Sequence, residues 1–123
     1  MIRRVVAALL ALYHGVTGVW ILSDARGWLS FVIDQNIPGP PPGTHFIHDV
    51  GLAFIASALG FAVFALRPQY WTAAAIGAAF PLLHALMHIQ SMATMGDPRM
   101  AFDLAAIVAP ALLGAFVGWP RRA

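Results

Sequence analysis

Apolar residues fill four long stretches of the chain, and polar residues are concentrated in the segments between them. The stretches run over residues 5–22, 46–66, 70–92 and 100–119. Each is close to the roughly 20 residues that a helix needs to cross a hydrocarbon core about 30 Å thick. The pattern therefore predicts an all-α membrane protein, a single domain over residues 1–123 in which four transmembrane helices form an antiparallel bundle.

The connections between these stretches differ in length and composition. Residues 67–69 and 96–99 are short turns, so each should join two neighbouring spans as a hairpin. The connection over 24–44 is longer, and its first half mixes apolar residues such as Trp28 with charged ones. This mixture predicts a short helix over 26–34 that lies in the membrane interface. The second half is rich in Pro and Gly and is expected to be non-helical.

Composition favours a membrane location over a water-soluble bundle. Hydrophobic residues make up 60% of the chain and charged residues 10%, whereas soluble domains carry about 25% charged residues. Too few polar residues remain to coat a bundle in water. The chain begins with a basic, then apolar segment that resembles a signal peptide, but the apolar run continues through "TGVWILSD" without a small-x-small cleavage site. We therefore expect a retained span.

The arginines are distributed unequally between the two ends of the predicted spans. Two, Arg26 and Arg99, fall on one side. The other five are Arg3, Arg4, Arg67, Arg121 and Arg122. The positive-inside rule then predicts an integral protein of a bacterial inner membrane with both termini in the cytoplasm. Basic residues are not interleaved with aromatic ones as in nucleic-acid-binding surfaces, so the expected partner is the lipid bilayer and no nucleic acid.

Histidine and aspartate residues recur at one depth in three of the four spans. With a helical rise of about 1.5 Å per residue, His48, His84, His88 and Asp103 lie roughly 24–30 Å from the inner edge, with Asp49 beside His48. His84 and His88 are one helical turn apart and share a face. Ionisable groups within a bilayer usually point into the bundle and pair, so we expect these side chains to share a site.

Imidazole and carboxylate groups together bind divalent transition metals, with Zn²⁺ and Cu²⁺ preferred where imidazole dominates. The candidate ligands are His48, Asp49, His84, His88 and Asp103. The zinc-protease motif is absent, because Ala85 occupies the position of its general base. None of the four serines lies in a nucleophile elbow, and whether the chain is an enzyme stays open. The sequence therefore predicts a metal-binding membrane protein.

Three alternatives remain open at this point. The first is a b-type haem for electron transfer, held by His48 with His84 or His88, or by His14 with His84. In the second, the histidines and aspartates form hydrogen-bonded pairs that join the helices. The third is a non-catalytic accessory subunit, which would act as part of a homo-oligomer or a larger membrane complex.

Two prolines and several small residues predict features of the helix packing. Pro81 and Pro110 free the backbone carbonyls of Gly77 and Ala106, which then need partners inside the bundle. Small residues such as Gly60 let neighbouring helices approach closely.

Overall fold

A computed structural model of the protein describes residues 1–33, 43–95 and 99–120. This part of the chain is almost entirely helical and contains no strand. The helices are α1 (Ile2–Ser23), α2 (Ala25–Ile33), α3 (Thr44–Leu66), α4 (Trp71–Met95), α5 (Met100–Asp103) and α6 (Ala109–Gly118), and a π-helical turn (Leu104–Val108) joins α5 to α6. The helix α5, the π-helical turn and α6 together make one long helical segment.

Four helical segments are long and apolar enough to cross a membrane, as the hydropathy pattern predicts. They are Ile2–Ser23, His45–Leu66, Trp71–Thr94 and Met100–Gly118. The helices α1 and α4 extend a few residues beyond the predicted apolar stretches, because hydropathy marks the apolar part of a helix and not its hydrogen-bonded ends. Together with the apolar composition, these four segments indicate a small integral membrane protein.

Asp24 separates α1 from α2. The backbone N–H of Asp24 donates to the Trp20 carbonyl and closes α1. Its side-chain Oδ1 then accepts a hydrogen bond of 2.9 Å from the backbone N–H of Gly27, in the first turn of α2. The predicted helix over 26–34 is therefore present one residue earlier, at Ala25–Ile33. Residue 34, the Pro/Gly-rich half of this connection and residues 96–98 lie outside the described residues.

Close backbone contacts between glycines hold the helices together. A Cβ atom added to Gly60 of α3 would lie 2.5 Å from the Ala73 carbonyl oxygen and 2.9 Å from the Cα atom of Gly77 in α4. A Cβ added to Gly18 of α1 would lie 2.8 Å from the Gly51 carbonyl oxygen in α3. The prediction that small residues allow close approach is confirmed at both crossings.

The main apolar core lies at the end of the bundle that contains the start of α1. Its buried members are Ala7, Leu10, Phe61, Phe64, Ala74, Ala78 and Val117. A smaller cluster of Ile21, Ala25 and Ile47 packs α2 against α1 and α3. The main core takes Ala74 and Ala78 from the start of α4 and Val117 from the end of α6, so the polar residues near the end of α4 and in α5 lie toward the opposite end.

The carbonyl that Pro110 frees has a partner, as predicted. Pro110 has no N–H to donate to the carbonyl of Ala106 four residues earlier. The Tyr13 hydroxyl of α1 donates to that carbonyl oxygen instead, at 2.6 Å. Ala106 also lies within the π-helical turn, and such turns are frequent at functional sites. The hydrogen bond therefore ties α1 to the irregular part of the last helical segment.

Candidate functional site

A histidine and an aspartate join α4 to α5. The Nδ1 atom of His88 donates a hydrogen bond to Oδ2 of Asp103. The two side chains are 31% and 14% exposed, so the pair is largely covered by protein. An ionised carboxylate this well covered needs such a partner, because an unpaired charge within a bilayer is costly.

His84 lies directly beside this pair. Its ring centroid is 4.7 Å from that of His88, and the two rings are steeply inclined at 69°. On its other side His84 stacks on Phe80, with centroids 5.6 Å apart and an angle of 13° between the planes. His84, His88 and Asp103 form a continuous row that we call the His–Asp triad. The spacing of the two histidines on one helical face leads directly to this arrangement.

Arg99 and Phe102 position the carboxylate of the triad. The guanidinium of Arg99 donates hydrogen bonds of 2.7 Å to the carbonyls of Phe31 and Val32, near the end of α2. Its cationic carbon also lies 4.2 Å from the ring centre of Phe102. These contacts fix the first turn of α5 against α2. Because Asp103 follows Phe102 in that turn, they also set its location.

The other two predicted ligands lie on α3, apart from the triad. His48 is partly buried, and among the described residues it makes no hydrogen bond, ion pair or ring contact. Asp49 is 57% exposed and its carboxylate lies 4.0 Å from His45, which is 95% exposed. A pair this exposed contributes little to stability. The structure therefore brings together His84, His88 and Asp103 from the predicted set.

Asp49 nevertheless faces the same space as His84. Both residues line an open cavity of about 500 Å³ between α2, α3 and α4. The rest of its wall is apolar and includes Trp28, Phe46 and Phe80. This cavity gives the triad an approach from the side of α3.

His14 is buried deeper in the bundle than the triad. It is 1% exposed, and its ring lies 5.6 Å from Phe54 and 5.4 Å from Phe61, measured between centroids. Its Nδ1 donates a hydrogen bond of 2.7 Å to the Leu10 carbonyl. In a neutral ring this leaves Nε2 as a hydrogen-bond acceptor.

The space between His14 and His84 bears on the haem alternative. Both rings line a cavity of about 20 Å³, together with Tyr13 and Pro110. This space admits about one water molecule, far less than a haem needs. A haem between these two histidines therefore does not fit the packing of the helices.

The His–Asp triad holds the donor atoms of a metal site but not its geometry. Among residues 1–33, 43–95 and 99–120, no three His, Asp or Glu side chains are arranged to hold a metal ion. Two ligands of one tetrahedral zinc ion, each about 2.0–2.2 Å from the metal, lie roughly 3.3 Å apart. His88 Nδ1 and Asp103 Oδ2 are in direct hydrogen-bond contact instead. Binding a metal would require these two atoms to separate slightly.

Sequence reasoning did not identify Tyr13 as a residue of this region. Its hydroxyl lies near the triad and holds the carbonyl of Ala106. The signal was Pro110, because a freed carbonyl inside a membrane protein needs a donor. The sequence alone could not say which of the other helices supplies that donor.

Comparison of the chain with protein-family models, curated proteins and solved structures finds no match. Function is therefore inferred from the residues and contacts described above.

Proposed function

We propose that this small membrane protein binds a divalent transition metal ion, Zn²⁺ or Cu²⁺, with His84, His88 and Asp103 as ligands. The proposal depends on one observation, the continuous row of two imidazoles and one carboxylate in the His–Asp triad. Two imidazoles and one carboxylate are a donor set of three-ligand zinc sites, in which the fourth position stays open to water or another molecule. Imidazole donors favour Zn²⁺ and Cu²⁺ over Mg²⁺.

Binding replaces a proton with the metal. In the metal-free protein the His88 proton lies between Nδ1 and the Asp103 carboxylate. A metal ion takes the place of this proton, and the two side chains move apart to the spacing of two ligands of one ion. Because ligating imidazoles must be deprotonated, metal affinity falls as the pH is lowered. His48 and Asp49 are not ligands in this proposal.

The experiment measures the metal content of detergent-purified protein after growth with zinc and copper supplied. We expect about one ion per chain in the wild type, and strongly reduced content in His84→Ala, His88→Ala and Asp103→Asn. His45→Ala is the matched control, because His45 is 95% exposed and lies outside the triad. Its metal content should equal that of the wild type.

Two results would overturn the proposal. The first is a wild type without metal, combined with a loss of stability in His88→Ala. The His88–Asp103 pair would then be a hydrogen bond that joins two helices. The second is a metal content that His45→Ala lowers as much as His84→Ala does, which would indicate adventitious binding at exposed imidazoles.

The proposal includes an orientation in the membrane. The five arginines at one end of the predicted spans, against two at the other, support an antiparallel bundle with both termini in the cytoplasm. The His–Asp triad then lies in the outer half of an inner membrane, where it would meet metal ions from outside the cell. The apolar and charged residues of α2 support its location in the outer interface, beside the cavity that leads to His84.

A further inference from the structure

A polar cavity of about 390 Å³ lies at the opposite end of the bundle from the His–Asp triad. Arg3, Arg4 and Gln69 supply the polar part of its wall, and the rings of Phe64 and Trp71 are next to them. The cavity is formed by the start of α1 and the connection between α3 and α4. It therefore lies where this end of the bundle meets the membrane interface.

A second cavity adjoins the first along the outside of α1 and α3. Its volume is about 530 Å³, and Arg4 lines both cavities. The rest of this wall is mainly apolar, with Val5, Ala8, Ala65 and Leu66. The Nε atom of Arg4 donates a hydrogen bond of 2.9 Å to the Ala65 carbonyl, which holds the guanidinium at the border between the two. A partly polar cavity thus continues into a mainly apolar groove on the outside of α1 and α3.

Two arginine side chains, Arg3 and Arg4, line the polar cavity. Arg3 is 8% exposed and donates hydrogen bonds to the carbonyls of Val117 and Trp119 at the end of α6, so its cation is held close to the cavity. The acidic residues of the sequence are Asp24, Asp34, Asp49, Asp97 and Asp103. Of the three that the structure describes, Asp24, Asp49 and Asp103, none lines either cavity. Arg4 donates to a neutral carbonyl, so the charge complement at the border of the two cavities is an anion.

We propose that the two cavities together bind one anionic phospholipid. Its phosphate accepts hydrogen bonds from Arg4, which lines both cavities, since a guanidinium matches the geometry of phosphate. One acyl chain lies in the groove of Val5, Ala8, Ala65 and Leu66. The groove favours a lipid over free phosphate, because a small anion would leave this apolar surface unused. The site is independent of the proposed metal site.

Lipid affinity can be compared between two arginine variants of the full chain in detergent. Binding of phosphatidylglycerol, phosphatidylcholine and glycerol phosphate is measured by native mass spectrometry, with any purification tag placed at the C-terminus because Met1 lines both cavities. We expect preference for phosphatidylglycerol, and an affinity about fivefold lower in Arg4→Gln. Arg67→Gln is the matched control, since exposed Arg67 lies at the same end but lines neither cavity. Its affinity should be unchanged.

A second pair of variants tests the groove. Ala8→Phe fills the apolar cavity without a change of charge, and Ala79→Phe adds the same ring at an exposed position of α4 outside both cavities. We expect only Ala8→Phe to weaken phosphatidylglycerol binding. Equal binding of both lipids, equal losses in Arg4→Gln and Arg67→Gln, or unchanged binding in Ala8→Phe would each overturn the proposal. Glycerol phosphate bound as tightly as phosphatidylglycerol would identify a small-anion site instead.

Discussion

Replacing Gly60 by alanine tests how α3 and α4 meet. The new Cβ would lie 2.5 Å from the Ala73 carbonyl oxygen, whereas ordinary contact begins at 3.4 Å, so the helices must separate by about 0.9 Å at this point. The obstructing atoms belong to the backbone and cannot rotate away as a side chain can. Overpacking of this kind costs about 1–3 kcal/mol. Alanine regains up to about 1 kcal/mol of helix propensity over glycine, so we expect a net loss of about 1 kcal/mol, and of about 2 kcal/mol at most.

Gly15→Ala is the matched control for this substitution. A Cβ at position 15 would lie 3.7 Å from the Cβ of Ala58, an ordinary contact. This variant should therefore keep the stability of the wild type or gain up to about 1 kcal/mol. The free energy of unfolding is measured in mixed micelles of mild detergent and dodecyl sulfate, followed by circular dichroism. If Gly60→Ala is as stable as Gly15→Ala, the backbone contact between Gly60 and Gly77 is not how the two helices pack.

Three further outcomes are expected. Tyr13→Phe removes the donor to the carbonyl that Pro110 frees and should lower the free energy of unfolding by about 0.6 kcal/mol, and by about 1.7 kcal/mol at most. The control Tyr70→Phe, at an exposed position, should change the free energy of unfolding little. Equal effects of the two variants would contradict the role of the hydrogen bond. In metal-free protein, Asp103→Asn should lower the free energy of unfolding by about 1–2 kcal/mol, because it weakens the charge-assisted hydrogen bond from His88. The same change at the exposed Asp49 should lower it by less than about 0.5 kcal/mol. A larger loss for the Asp49 variant would mean that the triad does not join α4 to α5. Topology reporters fused to the C-terminus and inserted between α2 and α3 should report opposite sides of the membrane, and the same side for both would contradict the proposed orientation.

The hydropathy pattern was sufficient to predict the four long helical segments, because it reflects the length of apolar surface along each helix. Depth was also informative for the candidate site, since the rise per residue placed His84, His88 and Asp103 at one level. Depth does not define which way a side chain points around its helix. His48 has the same predicted depth, but the rotation of α3 is set by backbone contacts such as Gly60 on Gly77.

The π-helical turn shows a second reason why part of the site could not be predicted. One extra residue in a helix rotates the residues before it by about 100° relative to the residues after it. The direction of Asp103 therefore cannot be extrapolated from the residues of α6, which lie beyond the turn at Leu104–Val108. Pro110 did predict that the Ala106 carbonyl needs a partner, and the hydrogen bond from Tyr13 confirms this. The sequence did not define the choice of partner, which depends on tertiary packing.

The hydrogen bonds of Arg3 have a consequence for the order in which the protein is assembled. Its two carbonyl acceptors, Val117 and Trp119, follow it by 114 and 116 residues. During synthesis α1 is therefore complete long before these acceptors exist, and the guanidinium must be solvated by water or lipid headgroups in the meantime. The first and last described helical segments can form these hydrogen bonds only after the residues up to Trp119 have been synthesised. A chain whose synthesis stalls before residue 117 therefore lacks the hydrogen bonds that join α1 to the end of α6.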